Sequence, residues 1–117
     1  MTFKAFDVVV VPFPFTDRAT TKRRPALVLS NENTFNKKVG QSILAMITSA
    51  NNSNWPLDTD IQDLDAAGLS SASVVRMKLF TLDDRLIVRK AGQLSGQDRM
   101  AAAKVLRKLF DIDNQAG

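Results

Sequence analysis

The sequence predicts a mainly β fold with one helix near its C-terminal end. Short apolar runs rich in β-branched residues recur along most of the chain, separated by proline, glycine or polar turn residues. A helical period of apolar residues appears only after Ser95. With 117 residues, 44% of them hydrophobic, the chain is long enough for one hydrophobic core and too short for two. We therefore expect a single domain over residues 1–117.

The apolar runs predict four strands and a short fifth one. The first, residues 7–11, is continuously β-branched, which is typical of a strand covered on both faces. Proline, threonine and basic residues then predict a long loop, and residues 31–40 predict a turn or short helix. The ranges predicted are residues 7–11, 26–29, 42–48, 73–82 and 86–88 for the strands, residues 12–24 for the loop, and a further loop around Gly92.

The helix is predicted over residues 96–110. Ser95 and Asp98 have the spacing of a capping box, with Asp in place of the preferred Glu. Apolar residues follow at helical spacing and form one face, which we expect to dock on the sheet; they are Ala102, Val105, Leu106, Leu109 and Phe110.

The composition excludes several kinds of chemistry. The chain has no Cys, His or Tyr, so it lacks thiolate nucleophiles, disulfides, imidazole acid–base pairs, phenol groups and His/Cys zinc sites. We expect no metal and no cofactor. No targeting segment and no apolar run of membrane-spanning length is present, so we expect a cytoplasmic protein without a membrane role.

The charge is positive and unevenly distributed. Sixteen Lys and Arg against twelve Asp and Glu give a net charge of +4, and the pI is about 9.8. Basic residues concentrate between residues 17 and 38 and again after residue 74, whereas residues 58–65 are acidic. This segregation is typical of a basic face that binds phosphates, although ordinary solvated charge produces the same pattern.

Arg24 is the strongest candidate for chemistry. Pro25 follows it and restricts it to an extended conformation at the entrance to the second strand. A guanidinium held in this way is able to grip a phosphate and stabilise charge that develops during phosphoryl transfer. An exposed turn arginine, or one that pairs with a carboxylate, is the alternative.

Thr48 ends the third strand and opens a run of hydroxyl and amide side chains up to residue 54. Its hydroxyl is able to donate to a phosphate oxygen, and a turn rich in side-chain to backbone hydrogen bonds is the alternative. Trp55, the only tryptophan, suits either base stacking or packing in a core or at an interface. Phe13 and Phe15 pose the same choice, and we expect at least one of them in the core.

Four segments together resemble the MazF/PemK family of bacterial toxins, and its PemK-like branch most closely. They are DVVVVPFPFTD (residues 7–17), KRRPALVLS (22–30), IT (47–48) and LFTLD (79–83). The resemblance covers nearly the whole chain. It implies an SH3-like barrel with appended helices, a homodimer, and a metal-independent, sequence-specific endoribonuclease that cuts single-stranded RNA to inhibit translation and growth.

In that family an Arg before the second-strand Pro and a Thr at the end of the third strand carry the reaction, which implies Arg24 and Thr48 as catalytic residues here. The ribose 2′-hydroxyl would attack the adjacent phosphate and leave a 2′,3′-cyclic phosphate and a 5′-hydroxyl. Which of the two residues handles the proton stays open. The residues we assign to RNA binding are Thr16, Asp17, Arg18, Lys22, Arg23, Ser49, Asn51, Trp55, Arg76 and Lys78.

The chain departs from the family pattern at two places. Phe6 replaces a Gly that often precedes the first-strand Asp, and Met77-Lys78 replaces an acidic–Gln pair of the MazF branch. The family also implies an antitoxin whose acidic tail binds the basic groove, and the pI favours such a partner. A noncatalytic gyrase poison similar to CcdB, or an SH3-like binding module, is the alternative function.

Overall fold

A six-stranded antiparallel sheet curls into a half-barrel, which confirms the predicted fold class. The structure is a computed structural model, and it describes residues 2–13, 22–52 and 54–112. The strand order is β4-β5-β3-β2-β1-β6. The strands are β1 (Asp7–Phe13), β2 (Lys22–Val28), β3 (Gln41–Ser49), β4 (Thr59–Asp60), β5 (Ser73–Asp83) and β6 (Arg89–Gln93).

Helices lie at the margins of this sheet. A π-helical turn, Glu32–Asn36, continues into α1 (Lys37–Val39), which confirms the predicted short helix. The short helix α2 (Leu64–Ala67) and a 3₁₀ turn at Asp84–Leu86 follow. The long helix α3 spans Gly96–Phe110, as predicted. Within the described residues, no helix is long and apolar enough to cross a membrane.

Both faces of the sheet are covered. Val8 belongs to one buried cluster with Leu27, Ala45 and Ile47, and Ala102 of α3 packs into it. Val9 and Val11 belong to a second cluster on the opposite face, which also contains Leu44 and Ile87. Successive residues of a strand point to opposite faces, so the continuous valine run of β1 supplies both clusters, as the sequence predicted.

The predicted fifth strand was wrong in position. Residues 86–88 complete a 3₁₀ turn and an irregular step, and the strand lies at residues 89–93, across the predicted loop around Gly92. Ile87 is apolar because it enters the second cluster, and Gly92 is required inside a strand because α2 packs against its backbone.

The predicted loop over residues 12–24 was too long. Pro12 and Phe13 continue β1, and residues 22–24 already belong to β2, where Pro12 pairs with Arg23. Pro12 and Pro25 are tolerated here because each has a neighbouring strand on one side only. Strand β6 pairs with β1 only as far as Val10, and β3 pairs with β2 only from Ala26 onwards, so the missing proline N–H interrupts no hydrogen bond on that side. Phe13 is 38% exposed, so it is not the expected core residue, and Phe15 lies outside the described residues.

Helix α3 follows its prediction only in part. The Ser95 hydroxyl accepts from the Asp98 backbone N–H, as predicted, but the Asp98 carboxylate does not reach back. It is buried and accepts from the backbone N–H groups of Gln62 and Asp63 instead, so it ties the segment before α2 to α3. Leu109 and Phe110 are 38% and 53% exposed, so the predicted apolar face docks only through its earlier turns.

Candidate active site

The sheet register brings Arg24 and Thr48 together. Ala26 of β2 pairs with Met46 of β3. Arg24 lies two residues before the first of these and Thr48 two residues after the second, just beyond the last paired residues of the two strands, and both line the same two cavities. On its other side, Arg24 pairs with Val11 of β1. Two residues far apart in the chain therefore meet at one end of the sheet.

The Arg24 guanidinium is incompletely satisfied. Its Nε is buried and has no hydrogen-bond partner among the described residues. The guanidinium carbon lies 5.7 Å from the centre of the Phe13 ring, which holds the group by a cation–π contact. Leaving a buried donor unpaired costs about 1–3 kcal/mol, and such groups collect at sites where a ligand supplies the acceptor.

The hydroxyl of Thr48 has a fixed neighbour. The side-chain amide of Asn52 donates a hydrogen bond to Thr48 Oγ1. A hydroxyl that accepts from a neighbour keeps its own proton for a different acceptor. Asn52 was absent from the predicted site, although it lies in the polar run that follows Thr48, four residues further along.

Arg24 and Thr48 line two adjoining cavities. The first cavity measures about 320 Å³ and is mainly apolar; its lining comprises Phe13, Arg24, Met46, Ile47, Thr48, Arg76, Lys78, Leu79 and Phe80. The second cavity measures about 400 Å³, and its lining includes Arg23, Arg24, Thr48, Ser49, Ser70, Ser71 and Arg89. The catalytic candidates therefore stand where an apolar cavity meets a polar, basic one.

Arg76 is anchored by an acidic residue. Its Nε and Nη2 atoms donate to the two oxygens of Asp58 at 3.2 and 2.9 Å, a two-point pair. These hydrogen bonds raise the pKa of Arg76 above its ordinary value, against the opposing effect of burial. Asp58 also accepts from the backbone N–H of Trp55. The predicted RNA-binding arginine is thus held in a fixed position at the first cavity.

Trp55 lies on the surface beside this pair. It is 40% exposed, and its indole N–H donates to the carbonyl oxygen of Met77 at 3.2 Å. The Lys78 ammonium lies 4.8 Å from the centre of its ring. A core position for this tryptophan is therefore wrong. Its accessible ring lies beside two cations, Arg76 and Lys78, and base stacking and an interface contact both stay predictions.

The other predicted RNA-binding residues are placed as follows. Arg23 and Ser49 line the second cavity. Lys22 is exposed at the start of β2, and Asn51 is exposed in the turn after β3, where its backbone N–H donates to Ser49 Oγ. Thr16, Asp17 and Arg18 lie outside the described residues. Arg89 is a basic residue at the site that the sequence did not single out.

Across residues 2–13, 22–52 and 54–112, no three Asp or Glu side chains group closely enough to hold a metal ion.

A family comparison assigns the chain. The family model described as "PemK-like, MazF-like toxin of type II toxin-antitoxin system" matches residues 4–110. The chain belongs to this family. The predicted resemblance is therefore confirmed, and the match spans the strands that carry Arg24 and Thr48 as well as the long helix.

Solved structures of this family share the fold. A MazE–MazF complex from Deinococcus radiodurans has a TM-score of 0.74 and 22% identity, over 95% of this chain and 98% of that one. The Mycobacterium tuberculosis toxin MazF-mt6 has a TM-score of 0.69 and 20% identity, over 90% and 96%. An endoribonuclease bound to its cognate antitoxin, from a mycobacterial species, has a TM-score of 0.72 and 14% identity, over 94% of each chain. A search of curated proteins found no match.

Both departures from the family pattern have a structural consequence. Phe6 adopts a left-handed backbone conformation, with φ of 72°, which is the conformation that glycine favours. Met77 is buried in the first cluster and Lys78 is exposed over Trp55. At Met77-Lys78, a buried apolar side chain and an exposed cation thus replace the acidic–Gln pair of the MazF branch.

Proposed function

We propose that this chain is a toxin that acts as a metal-independent endoribonuclease on single-stranded RNA. The observation that carries the proposal is the buried, unpartnered Nε of Arg24, a residue that lines two adjoining cavities together with Thr48. Family membership supports it, since type II toxins of this kind are typically endoribonucleases. Cleavage of messenger RNA at short sequences would inhibit translation in the cytoplasm.

The proposed reaction is an internal transesterification. The 2′-hydroxyl loses its proton as its oxygen forms a bond to the adjacent phosphorus, the bond from phosphorus to the 5′-oxygen breaks, and that leaving oxygen takes up a proton, so no net proton is gained or lost. The products are a 2′,3′-cyclic phosphate and a 5′-hydroxyl. Negative charge grows on the phosphoryl oxygens in the transition state, where the planar donors of Arg24 stabilise it.

Thr48 has a supporting role in this scheme. Because its oxygen already accepts from Asn52, its own proton is directed to a phosphate oxygen, which orients the scissile group against Arg24. Arg24 and Thr48 then act as one unit on a single phosphodiester.

The first cavity suits a nucleobase beside the scissile phosphate. Its walls include Phe13, Met46 and Phe80, and Arg76 and Lys78 stand at its polar side. Aromatic and guanidinium faces stack on bases that are unpaired, which favours single-stranded RNA over a duplex. The exposed ring of Trp55, under Lys78, provides a further stacking surface.

The proposal includes two protein partners. The basic composition suits an acidic antitoxin, and two of the similar structures are toxin–antitoxin complexes. A homodimer is proposed from the family resemblance.

Cleavage of a long RNA by the purified protein in excess EDTA tests the function. We expect cuts at a short recurring sequence that leave 2′,3′-cyclic phosphate and 5′-hydroxyl ends. Adaptor ligation that requires one of these two kinds of end identifies the end and maps the cut. An oligonucleotide with 2′-deoxyribose on the 5′ side of the cut should stay intact, because it lacks the nucleophile.

A contaminating ribonuclease leaves the same ends, so the Arg24→Ala protein must be purified in parallel. Equal cutting by both preparations would show that the activity does not depend on Arg24 and would contradict the proposal. Intact RNA together with inhibition of DNA gyrase would replace the proposed function with the noncatalytic alternative.

A further inference from the structure

We propose that the second cavity binds a second phosphodiester of the same RNA strand, next to the one that is cleaved. This inference rests on the proposed function and adds a subsite to it. The cavity shares Arg24 and Thr48 with the first cavity, so a strand whose scissile phosphate lies at that pair continues directly into it.

The charge of the second cavity is unbalanced. Its lining contains Arg23, Arg24 and Arg89 and no acidic residue among those described. No described residue forms a side-chain hydrogen bond or an ion pair with Arg23 or Arg89, whereas three cations outside this cavity pair with carboxylates: Arg76 with Asp58, Arg85 with Asp83 and Lys90 with Asp7. Three guanidinium groups without a counter-charge favour an anion at this place.

The cavity also contains hydroxyl donors. Ser49 follows Thr48 directly, and Ser70 and Ser71 lie on the loop after α2, across the cavity from β2. Guanidinium forks and serine hydroxyls are donors that bind phosphate oxygens, and phosphate contacts make up much of the binding surface for nucleic acids.

The two walls of the cavity are held together by close backbone contacts. A Cβ on Gly68 would lie 2.1 Å from the carbonyl oxygen of Ala91, so the serine loop packs directly on β6. Arg89 starts that strand and pairs with Val10 of β1, which in turn pairs with Pro25 beside Arg24. The three arginines are therefore mounted on one sheet, and the serine loop is fixed against it.

Binding of an uncleavable RNA at several salt concentrations tests the inference. The probe is an oligonucleotide that contains the mapped cleavage sequence, with 2′-deoxyribose at the scissile position. For Arg89→Ala, we expect about 10-fold weaker binding and a salt slope, d log K/d log [salt], smaller by about 0.7, the value for one phosphate contact on a single strand. Arg85→Ala, which removes a cation outside both cavities, should change neither quantity.

Methylphosphonate probes identify the phosphate. A neutral methylphosphonate is placed one position before or one position after the scissile phosphate. If Arg89 contacts one of these two phosphates, Arg89→Ala should not weaken the binding of the probe in which that phosphate is neutral. The same substitution should still weaken the binding of the other probe by the full factor. A full loss with both probes, or an unchanged salt slope, would overturn the inference.

The remaining outcomes also discriminate. If wild-type protein cuts RNA but Arg89→Ala binds the probe normally, the subsite is wrong and the proposed function stands. If Arg89→Ala weakens only the binding of an oligoglutamate peptide, the cavity serves an acidic protein partner, and the RNA subsite is again wrong. Intact RNA with the wild type would overturn both proposals.

Discussion

Phe6 stores backbone strain at a position where glycine would have none. Its φ of 72° costs an L-amino acid about 1–2 kcal/mol. The residue is held there because its N–H donates to Val28 at 2.6 Å and its carbonyl accepts from Leu94 at 3.0 Å. The ring offsets this cost by packing on the first cluster, and the Arg99 guanidinium lies 5.1 Å from its centre.

Two substitutions separate the strain from the packing. Phe6→Ala keeps the strain and removes the ring, so we expect it to lower the free energy of unfolding by about 1–3 kcal/mol. Phe6→Gly also removes the ring but relieves the strain, and should be about 1 kcal/mol more stable than the alanine variant. Urea denaturation measures both, and an alanine variant as stable as the glycine variant would contradict the strained conformation.

Asn52 is expected to act through Thr48. Asn52→Ala removes one hydrogen bond to the Thr48 hydroxyl, so we expect the cleavage rate to fall about 5-fold, since a hydrogen bond contributes about 1 kcal/mol. In a Thr48→Val background the same substitution should cause no further loss. Single-turnover cleavage measures both effects.

Asn33→Ala provides the matched control, because Asn33 is an exposed asparagine near the N-terminus of the π-helical turn, away from both cavities. Independent, additive losses from Asn52 and Thr48 would show that Asn52 does not position the hydroxyl.

At the scale of whole elements, β6 and α2 are in backbone contact through a glycine. A Cβ on Gly92 would lie 2.3 Å from the carbonyl oxygen of Ala66, which is too close for any side chain. Gly92→Ala should therefore separate α2 from β6 and lower the free energy of unfolding by about 1–3 kcal/mol or more. Gly96→Ala is the control, since a Cβ there meets nothing within 4 Å and alanine suits the first turn of α3. Equal stability of the two variants by thermal or urea denaturation would contradict the close approach.

The turn between β5 and β6 carries the clearest pH dependence. Hydrogen bonds from the side chain and backbone of Arg85 lower the pKa of Asp83 to about 2. The ordinary Asp pKa is about 4, so the unfolded chain takes up this proton first, and the contribution to stability is complete above that pH and is lost as the pH falls through about 2. Asp83→Asn should keep the turn but flatten the stability profile between pH 5 and pH 2. NMR titration of the Asp83 carboxyl checks the value, and an ordinary pKa would contradict the pairing.

For the molecule as a whole, local patterns predicted most strands and the long helix, and they singled out both candidate catalytic residues. Two of these patterns are local: the β-branched run at residues 7–11 and the helical spacing of apolar residues after Ser95. Because each depends only on residues close together in the chain, it is readable from the sequence. The contacts between residues far apart in the chain are not readable in this way. Asp58 meets Arg76 across 18 positions, and Asp98 reaches the N–H of Asp63 across 35, because the sheet and helix are already packed.

Tertiary contacts also explain the errors. Gly92 and the residues around it have turn character in isolation, and they form a strand because β1 pairs with them. Arg89 was not selected because its role depends on the excess positive charge of a cavity that five strands and a loop build together. Arg24 and Thr48 were predicted as candidates separately, and only the folded sheet, in which β2 pairs with β3, brings them to the same two cavities.

The most direct test of the central claim is the single-turnover rate of RNA cleavage by Arg24→Ala, compared with Arg85→Ala. Both variants lose one guanidinium, but only Arg24 has an unpartnered Nε at the proposed phosphate site. We predict a loss of about 10²- to 10³-fold for Arg24→Ala and an unchanged rate for Arg85→Ala, with both proteins folded by circular dichroism. Wild-type cleavage by folded Arg24→Ala would contradict the account.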